Sequence, residues 1–482
     1  MSKNIKILWL YLISLLFLVG NVYFIYKENF YFSLIPIALI TIMFAFFALD
    51  KLVLAIVFMV PLSVPLRSFF PSLPFDMFIP TEPLIVGIMF IFILKLLLQK
   101  NTDKRIFFHP ISIAIYFNLA WMLISSLTST MPLVSLKYLL VRMWFVSVFY
   151  FIAIHLFKNK KNIRRYVWLY VFALIVVIFA TEIKHAAYGI FNQEAANFVC
   201  SPFYSDHTSY GAALAFIFPV LIGFLLSKHY SATLKIFISI AFTIIFAGLI
   251  LSYTRAAWLS LVVSLGVLIV VLLKIKFRTI FIIISSLIIL FFSFKTQIFI
   301  YLEGNRQDAS SNFTEQVQSM SNIASDASNL ERINRWESAI RMFKDKPIFG
   351  FGPGTYMFQY APYQMSYEKT IISTNAGDGG NAHSEYIGAL AESGVLGSLS
   401  FILIILVTLY TALTLYSNSK SRELKILILS LTLGLISYYI HGFLNNFLDT
   451  DKISALFWGY TAMIVAIEVY HKDGLEEKTK TT

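Results

Sequence analysis

A single cysteine, Cys200, stands in 482 residues. One thiol can form no intramolecular disulfide and no cysteine-rich metal site. The histidines form no H-E-x-x-H pair, and Asp308, Asp326, Asp345 and Asp378 are scattered without a D-x-D pairing, so neither a built-in metal centre nor a cofactor is expected. No G-x-S-x-G elbow is present, which argues against a serine hydrolase. Charge is scarce too: at 13% of residues, Asp, Glu, Lys and Arg are too few to cover two or three soluble domains. No fixed-period repeat is visible, and no interrupted helices recur at matching positions in two halves, so neither a solenoid nor an inverted-repeat transporter is indicated.

What the chain has instead is apolar sequence, 58% of its residues. Runs of about 18 to 22 apolar residues, each long enough to cross a hydrocarbon core of about 30 Å, recur almost end to end. In lipid the backbone must satisfy its own hydrogen bonds, so these runs predict an all-α, polytopic transmembrane bundle. About fourteen spans are expected, near 7–26, 31–49, 52–66, 84–98, 111–128, 138–157, 166–187, 209–227, 234–252, 256–273, 279–294, 395–416, 424–441 and 453–470. The first follows Lys3 and Lys6 and lacks a small-x-small cleavage pattern, which makes it an uncleaved span. The second and third are separated only by Asp50 and Lys51, and the third is short and Pro-flanked. That pair is a candidate for a re-entrant or irregular hairpin, and its loss would leave about twelve spans with the same parity.

The net charge of +12 sits in short clusters between apolar runs and not on one soluble face, so it reads as topology and not as nucleic-acid binding. With both termini cytoplasmic, the clusters at Lys95–Arg105, Lys158–Arg165, Lys228/Lys235, Lys274–Arg278 and Lys420–Lys425 all fall inside. Four segments then share the opposite, periplasmic side: 184–208, Ser252–Arg255, 295–394 and 442–452. The organisation expected is N-terminal spans over 1–200, spans bearing Arg255 over 201–294, one large loop over 295–394, C-terminal spans over 395–470 and a tail over 471–482.

The large loop has three pieces. Glu303 to Asn329 is rich in Asn, Ser, Asp and Gln and buries little. An amphipathic helix follows from about Leu330 to Lys344, with Leu330, Ile333, Trp336, Ile340 and Phe343 at three- and four-residue spacing and Pro347 beyond its end. This apolar stripe is expected to pack down, with Arg332 and Arg335 beside it turned into a cleft. Gly350-Phe-Gly-Pro-Gly354 makes a tight turn, and a Gly-rich link leads to a helix beginning near His383.

Arginines on the expected periplasmic side oppose the charge bias that places the others: Arg255, Arg332, Arg335 and Arg341. Arg255 opens a span, where a guanidinium meets a phosphate well, although interfacial snorkelling would place it there equally. Of the eight histidines, His185, His207, His383 and His441 fall on that side. His383 follows the Gly-rich link and opens a helix, a setting in which an imidazole can accept a proton near neutral pH. Several fixed cations and one candidate base suit departure of an anionic phosphate from a lipid-linked substrate.

These residues resemble the O-antigen ligase family, which shares a C-terminal region with O-antigen polymerases and bacterial protein O-oligosaccharyltransferases. His383-Ser384, nine residues and Gly394-Val-Leu-Gly397 fit its H-[NSQ]-x9-G-x-x-G pattern; Arg332-Ile-Asn-Arg-Trp336 and Pro347-Ile-Phe-Gly-Phe-Gly352 resemble its R-x3-W and P-x2-G-x-G run. Ser252-Tyr-Thr-Arg255 and the stretch from Pro202 through His207 to Pro219 are weaker matches, and the likeness covers roughly residues 200 to 450. It implies a GT-C-like membrane glycosyltransferase of the bacterial inner membrane, without a metal, that inverts the transferred sugar. The implied donor is a glycan on undecaprenyl pyrophosphate and the implied acceptor a hydroxyl of lipid A core, of a growing glycan or of a protein. By position, His383 is then the catalytic base, Arg255, Arg332 and Arg335 hold the pyrophosphate, and His207 and Arg341 are lesser candidates. Gly394 and Gly397 let the helix after His383 bend. A polysaccharide flippase or exporter, or a partner-binding scaffold, is the reading from another class.

Overall fold

The computed structural model describes residues 3–28, 103–275, 327–366 and 380–471, most of 31–98, and scattered positions between 278 and 293. The chain divides into two compact units, residues 1–55 and 56–482. In the first, helix α1 (Lys3–Tyr26) presents its apolar side chains outward, and Phe17 stacks on Phe32 with ring centroids 5.3 Å apart. Helix α2 (Leu49–Met59) runs across the division.

The second unit holds the rest of an all-α membrane protein. It begins with a small hairpin in which β1 (Val64–Pro65) pairs antiparallel with β2 (Phe78–Ile79). Helices α3 (Thr81–Leu98), α4 (Pro110–Leu127), α5 (Pro132–Leu156), α6 (Lys160–Ala186), α7 (His207–Leu226), α8 (Ala232–Leu251) and α9 (Arg255–Leu272) follow. Next come α10 (Ala327–Asp345), α11 (Glu385–Asn418), α12 (Arg422–Leu444) and α13 (Asp451–Tyr470). With α1, all but α2 and α10 make eleven helices among the described residues long and apolar enough to cross a bilayer.

The span expected at 52–66 is not one of them. Its helix has 11 residues, about 16 Å of rise, and gives way at Val60–Leu62 to a 3-10 turn and then to β1. Pro61 and Pro65 each withhold an N–H from a continuing helix, which ends the element early. The stretch 279–294 lies largely outside the described residues, as does the Asn- and Ser-rich start of the large loop, and part of 31–49 does too.

Helices α7 and α13 are the most enclosed, apolar all round because protein surrounds them. The start of α13 is pinned by a buried ionic knot. Asp451 Oδ2 accepts hydrogen bonds from the Ser63 and Thr81 hydroxyls at 2.6 Å each, and Lys452 Nζ donates to Asp451 Oδ1 at 3.1 Å while lying 4.0 Å from the centre of the Phe78 ring. Helix α12 packs against α7, α9 and α11, and Gly223 of α7 lets Ser430 of α12 come so close that an added Cβ would lie 2.6 Å from Ser430 Cβ.

Helix α11 is broken near its start. Gly394 has φ 67° and ψ −169°, and the break frees three carbonyls, each of which takes a donor from elsewhere. The N–H groups of Phe351 and Gly352 donate to the carbonyls of Ala391 at 3.0 Å and Glu392 at 2.7 Å. The Trp121 indole N–H donates to the Ser393 carbonyl at 2.7 Å, and the Val395 N–H donates to the Pro347 carbonyl at 3.0 Å. The Pro347–Gly354 turn is thus the plug of the broken helix, which is why these two short motifs occur together. An alanine at 394 would hold an L-residue in the left-handed region and drive its Cβ into the Ile348 carbonyl. Gly394→Ala is expected to destabilise the protein by about 2 kcal/mol or more, read as a lower midpoint of thermal unfolding in detergent. An unchanged midpoint would show that the break is dispensable.

Candidate active site

Helix α10 forms close to where its period predicts, but the opposite face is buried. Glu331, Asn334, Arg335, Ser338, Ala339 and Met342 are enclosed, whereas Ile340 of the apolar stripe is 40% exposed. The physical reason is the partners the inner face meets: Glu331 and Arg335 pair there, and Ala339 and Met342 pack into an apolar core. The expectation that the stripe packs down is therefore corrected at Ile340; Ile333, Trp336 and Phe343 are half-buried. Ala339 and Met342 meet Phe351, Tyr356, Tyr360, Ala382 and Ala391 in a small apolar core on α11.

Inversion of the face carries Arg335 inward. Its Nε donates to Glu331 Oε1 at 2.8 Å, its Nη1 donates to the Asn381 carbonyl at 3.2 Å, and its guanidinium lies 5.2 Å from the centre of the Tyr360 ring. The Tyr356 hydroxyl donates to the Arg335 carbonyl at 2.8 Å. Arg335 thus anchors the turn before His383. Arg332, three residues earlier, reaches another element: its Nε donates to the Leu444 carbonyl at 3.1 Å, at the end of α12, where the helix dipole is negative.

His383 stands between the Arg335-bound turn and the first residue of α11. Its φ of 47° lies in the left-handed region, a costly conformation for a non-glycine residue, and its N–H donates to Asn381 Oδ1 at 2.9 Å. Ser384 caps α11 by accepting from the N–H groups of Tyr386 and Ile387 at 3.3 Å each. The Asn445 side chain stands near the His383 ring, and Asn445 Nδ2 contacts His441 Nε2 at 3.1 Å. Burial, with Arg332 and Arg335 beside it, pushes His383 down from 6.5 to about 4.

Two further helix starts complete the cluster. Asp206 caps α7, accepting at 2.8 Å from the N–H groups of Thr208 and Ser209, and His207 stands next to it within electrostatic reach of Arg332 and Arg255. Arg255 is the first residue of α9, and Thr254 before it donates through its hydroxyl to the His207 carbonyl at 2.7 Å, tying the starts of α7 and α9 together. The starts of α7 and α9 are thus joined, and His207 and His383, at the starts of α7 and α11, both lie within electrostatic reach of Arg332.

The structure therefore unites Arg255, Arg332, His207, His383 and His441, with Arg335 behind them. His185 lies apart, bonded to the Asn192 carbonyl at 2.8 Å, and Arg341 is engaged by the Tyr363 carbonyl at 2.8 Å and by Glu337 at 3.0 Å. Burial pushes the Cys200 thiol up to about 12, leaving it protonated at neutral pH. Among the described residues no group of three or more His, Cys, Asp or Glu side chains is placed to hold a metal ion. Sequence reasoning missed Asp206 and Asn445. Asp206 two residues before Thr208 is an ordinary capping signal, and Asn445 ends an apolar run within reach of His441 one turn earlier, but neither pattern points to chemistry.

Such a constellation can hold a doubly charged leaving group while a neutral imidazole takes a proton. Residues 240–402 match the family model described as O-Antigen ligase, an interval that contains Arg255, Arg332, Arg335 and His383 and leaves out His207 and His441. No curated protein matches the chain.

Proposed function

With an O-antigen ligase domain at residues 240–402 as premise, we propose that the protein transfers a glycan from undecaprenyl pyrophosphate to an acceptor hydroxyl on the periplasmic face of the bacterial inner membrane, with lipid A core as the acceptor. The observation that carries this reading is the neutral imidazole of His383 set beside Arg332, with Arg255 at the start of α9. The acceptor hydroxyl gives its proton to His383, its oxygen bonds to the anomeric carbon, and the bond from that carbon to the phosphate oxygen breaks. Attack opposite the leaving group inverts the anomeric centre. The electron pair departs on the pyrophosphate, where Arg255, Arg332 and the helix N-termini stabilise it. In this reading Arg335 acts through Asn381 and through its field, and His207 is a neighbour of the leaving group.

A base held at about 4 is weak, and the same arginines that weaken it bind the donor. A bound pyrophosphate reverses the field around His383 and makes it more basic, so the base gains strength when there is something to transfer. Because the unprotonated ring is the working form, activity rises with pH through its pKa. For the free enzyme the acid limb of kcat/KM for the donor is expected near pH 4; the acid limb of kcat, which reports the complex, is expected at higher pH by about 1 to 3 pH units. Coincident limbs would sink the field argument.

The functional test is reconstitution of the full-length protein in liposomes with a lipid-linked glycan and, separately, lipid A core, a second lipid-linked glycan and a Ser/Thr peptide. Transfer to lipid A core is expected. Elongation of the lipid-linked glycan alone would make the protein a polymerase, and transfer to none of the three would overturn the proposal.

A further inference from the structure

The turn that carries His383 also borders a space among the helices. A cavity of about 370 Å³ lies between α4, α5, the start of α11, the Pro353–Met357 turn and the link after α12. It is bounded by Asn381, Ala382, Ser384 and Glu385, the residues flanking His383, so it shares a wall with the transfer centre. About 10–15 Å³ would admit one water, so this cavity is sized for a ligand.

Its chemistry differs from that of the arginine cluster. Arg142, 6% exposed within a membrane span, donates through Nη2 to Asp449 Oδ1 at 2.8 Å and leaves its buried Nε with no hydrogen-bond partner. Asn446 Oδ1 is likewise buried and unpartnered at the same wall. Asn118, Asn446, Ser384 and Ser393 add amide and hydroxyl groups to this lining, the donors and acceptors with which sugar hydroxyls pair. Glu385 and Glu392 add carboxyl groups. Glu385 Oε1 accepts from the Tyr438 hydroxyl at 2.6 Å and the Leu448 N–H at 2.9 Å, and Glu392 Oε1 accepts from the Tyr356 N–H at 3.0 Å. Among the described residues the only cation on the wall, Arg142, is already neutralised by Asp449, so a phosphate or carboxylate finds no counter-charge there. Met122, Met357 and Phe401 supply an apolar side for the C–H face of a ring.

We propose that this cavity is a binding subsite for an uncharged saccharide unit of one of the two glycans being joined, adjacent to the reacting unit at His383. The inference rests on the glycan-transfer reading and names what lies beside the reaction: a hydroxyl-rich, phosphate-free sugar. Both acceptor and donor glycans carry such units, and the experiment separates them.

Binding is measured by calorimetry on the purified full-length protein, with a neutral oligosaccharide from the acceptor, one from the donor, and each in phosphorylated form. One neutral probe is expected to bind, with the phosphorylated form weaker. Asn446→Ala is expected to weaken that binding about tenfold and to raise KM for the matching substrate alone, with kcat little changed. Ala389→Phe, which fills the cavity from α11, is expected to abolish binding. If the phenylalanine variant fails to fold, Asn446→Ala carries the test by itself. His383→Ala should still bind the neutral probe, so failure of the catalytic assignment is distinguishable from failure of the subsite. Binding and both KM values unchanged in folded Asn446→Ala, or preference for the phosphorylated probes, would overturn the proposal.

Discussion

Replacing His383 with alanine is expected to lower kcat for glycan transfer by about 10²- to 10⁴-fold, the usual contribution of a positioned general base. The loss should fall on turnover and not on donor affinity, because in the proposed reading the pyrophosphate is held by Arg255, Arg332 and helix termini that do not depend on the ring. Backbone strain complicates the comparison, since φ at 383 is 47° and alanine is no more at ease there than histidine. A second variant removes that complication. His383→Gly is free to adopt the left-handed conformation and is expected to unfold at a higher temperature than His383→Ala while being equally inactive. Transfer at the wild-type rate by the glycine variant would show that position 383 matters for backbone shape and that the proton goes elsewhere.

The helices were legible because lipid forces long apolar runs, and the site was half legible because its motifs lie on a few short segments. His383-Ser384 with Gly394, and Arg332 with the Pro347–Gly354 turn, are each local patterns, and the structure shows that they are one device: the turn plugs the helix that Gly394 breaks. The inner face of α10 is set by its partners and not by its apolar period: Glu331 and Arg335 pair there while Ile340 stays exposed, which spacing alone does not reveal. The cavity was invisible for a different reason. Arg142 and Asp449 are 307 residues apart, and Glu385 and Glu392 look like ordinary acids early in a helix until the fold sets them around one space. Arg142 did carry a signal, since an ionisable residue inside a membrane span rarely lacks a purpose.

Arg332 is where the site's two demands meet, and its removal is expected to show both. The guanidinium is anchored by the Leu444 carbonyl at 3.1 Å, so it is aimed before substrate arrives, and loss of one such preorganised group costs about 10²- to 10³-fold in kcat. Arg332→Lys keeps the charge but neither the planar fork nor the anchor, and should lose less than Arg332→Ala without regaining wild-type turnover. Two further readouts separate this role from a structural one. Inhibition by inorganic pyrophosphate should weaken in Arg332→Ala and in Arg255→Ala but persist in His383→Ala, because the arginines and not His383 hold the leaving group in this reading. The acid limb of kcat/KM should also move up in Arg332→Ala, since that charge is one of the two that press His383 down to about 4. An Arg332→Ala protein with unaltered pyrophosphate inhibition and an unshifted acid limb would place Arg332 in the scaffold of α10 and leave the leaving group to Arg255.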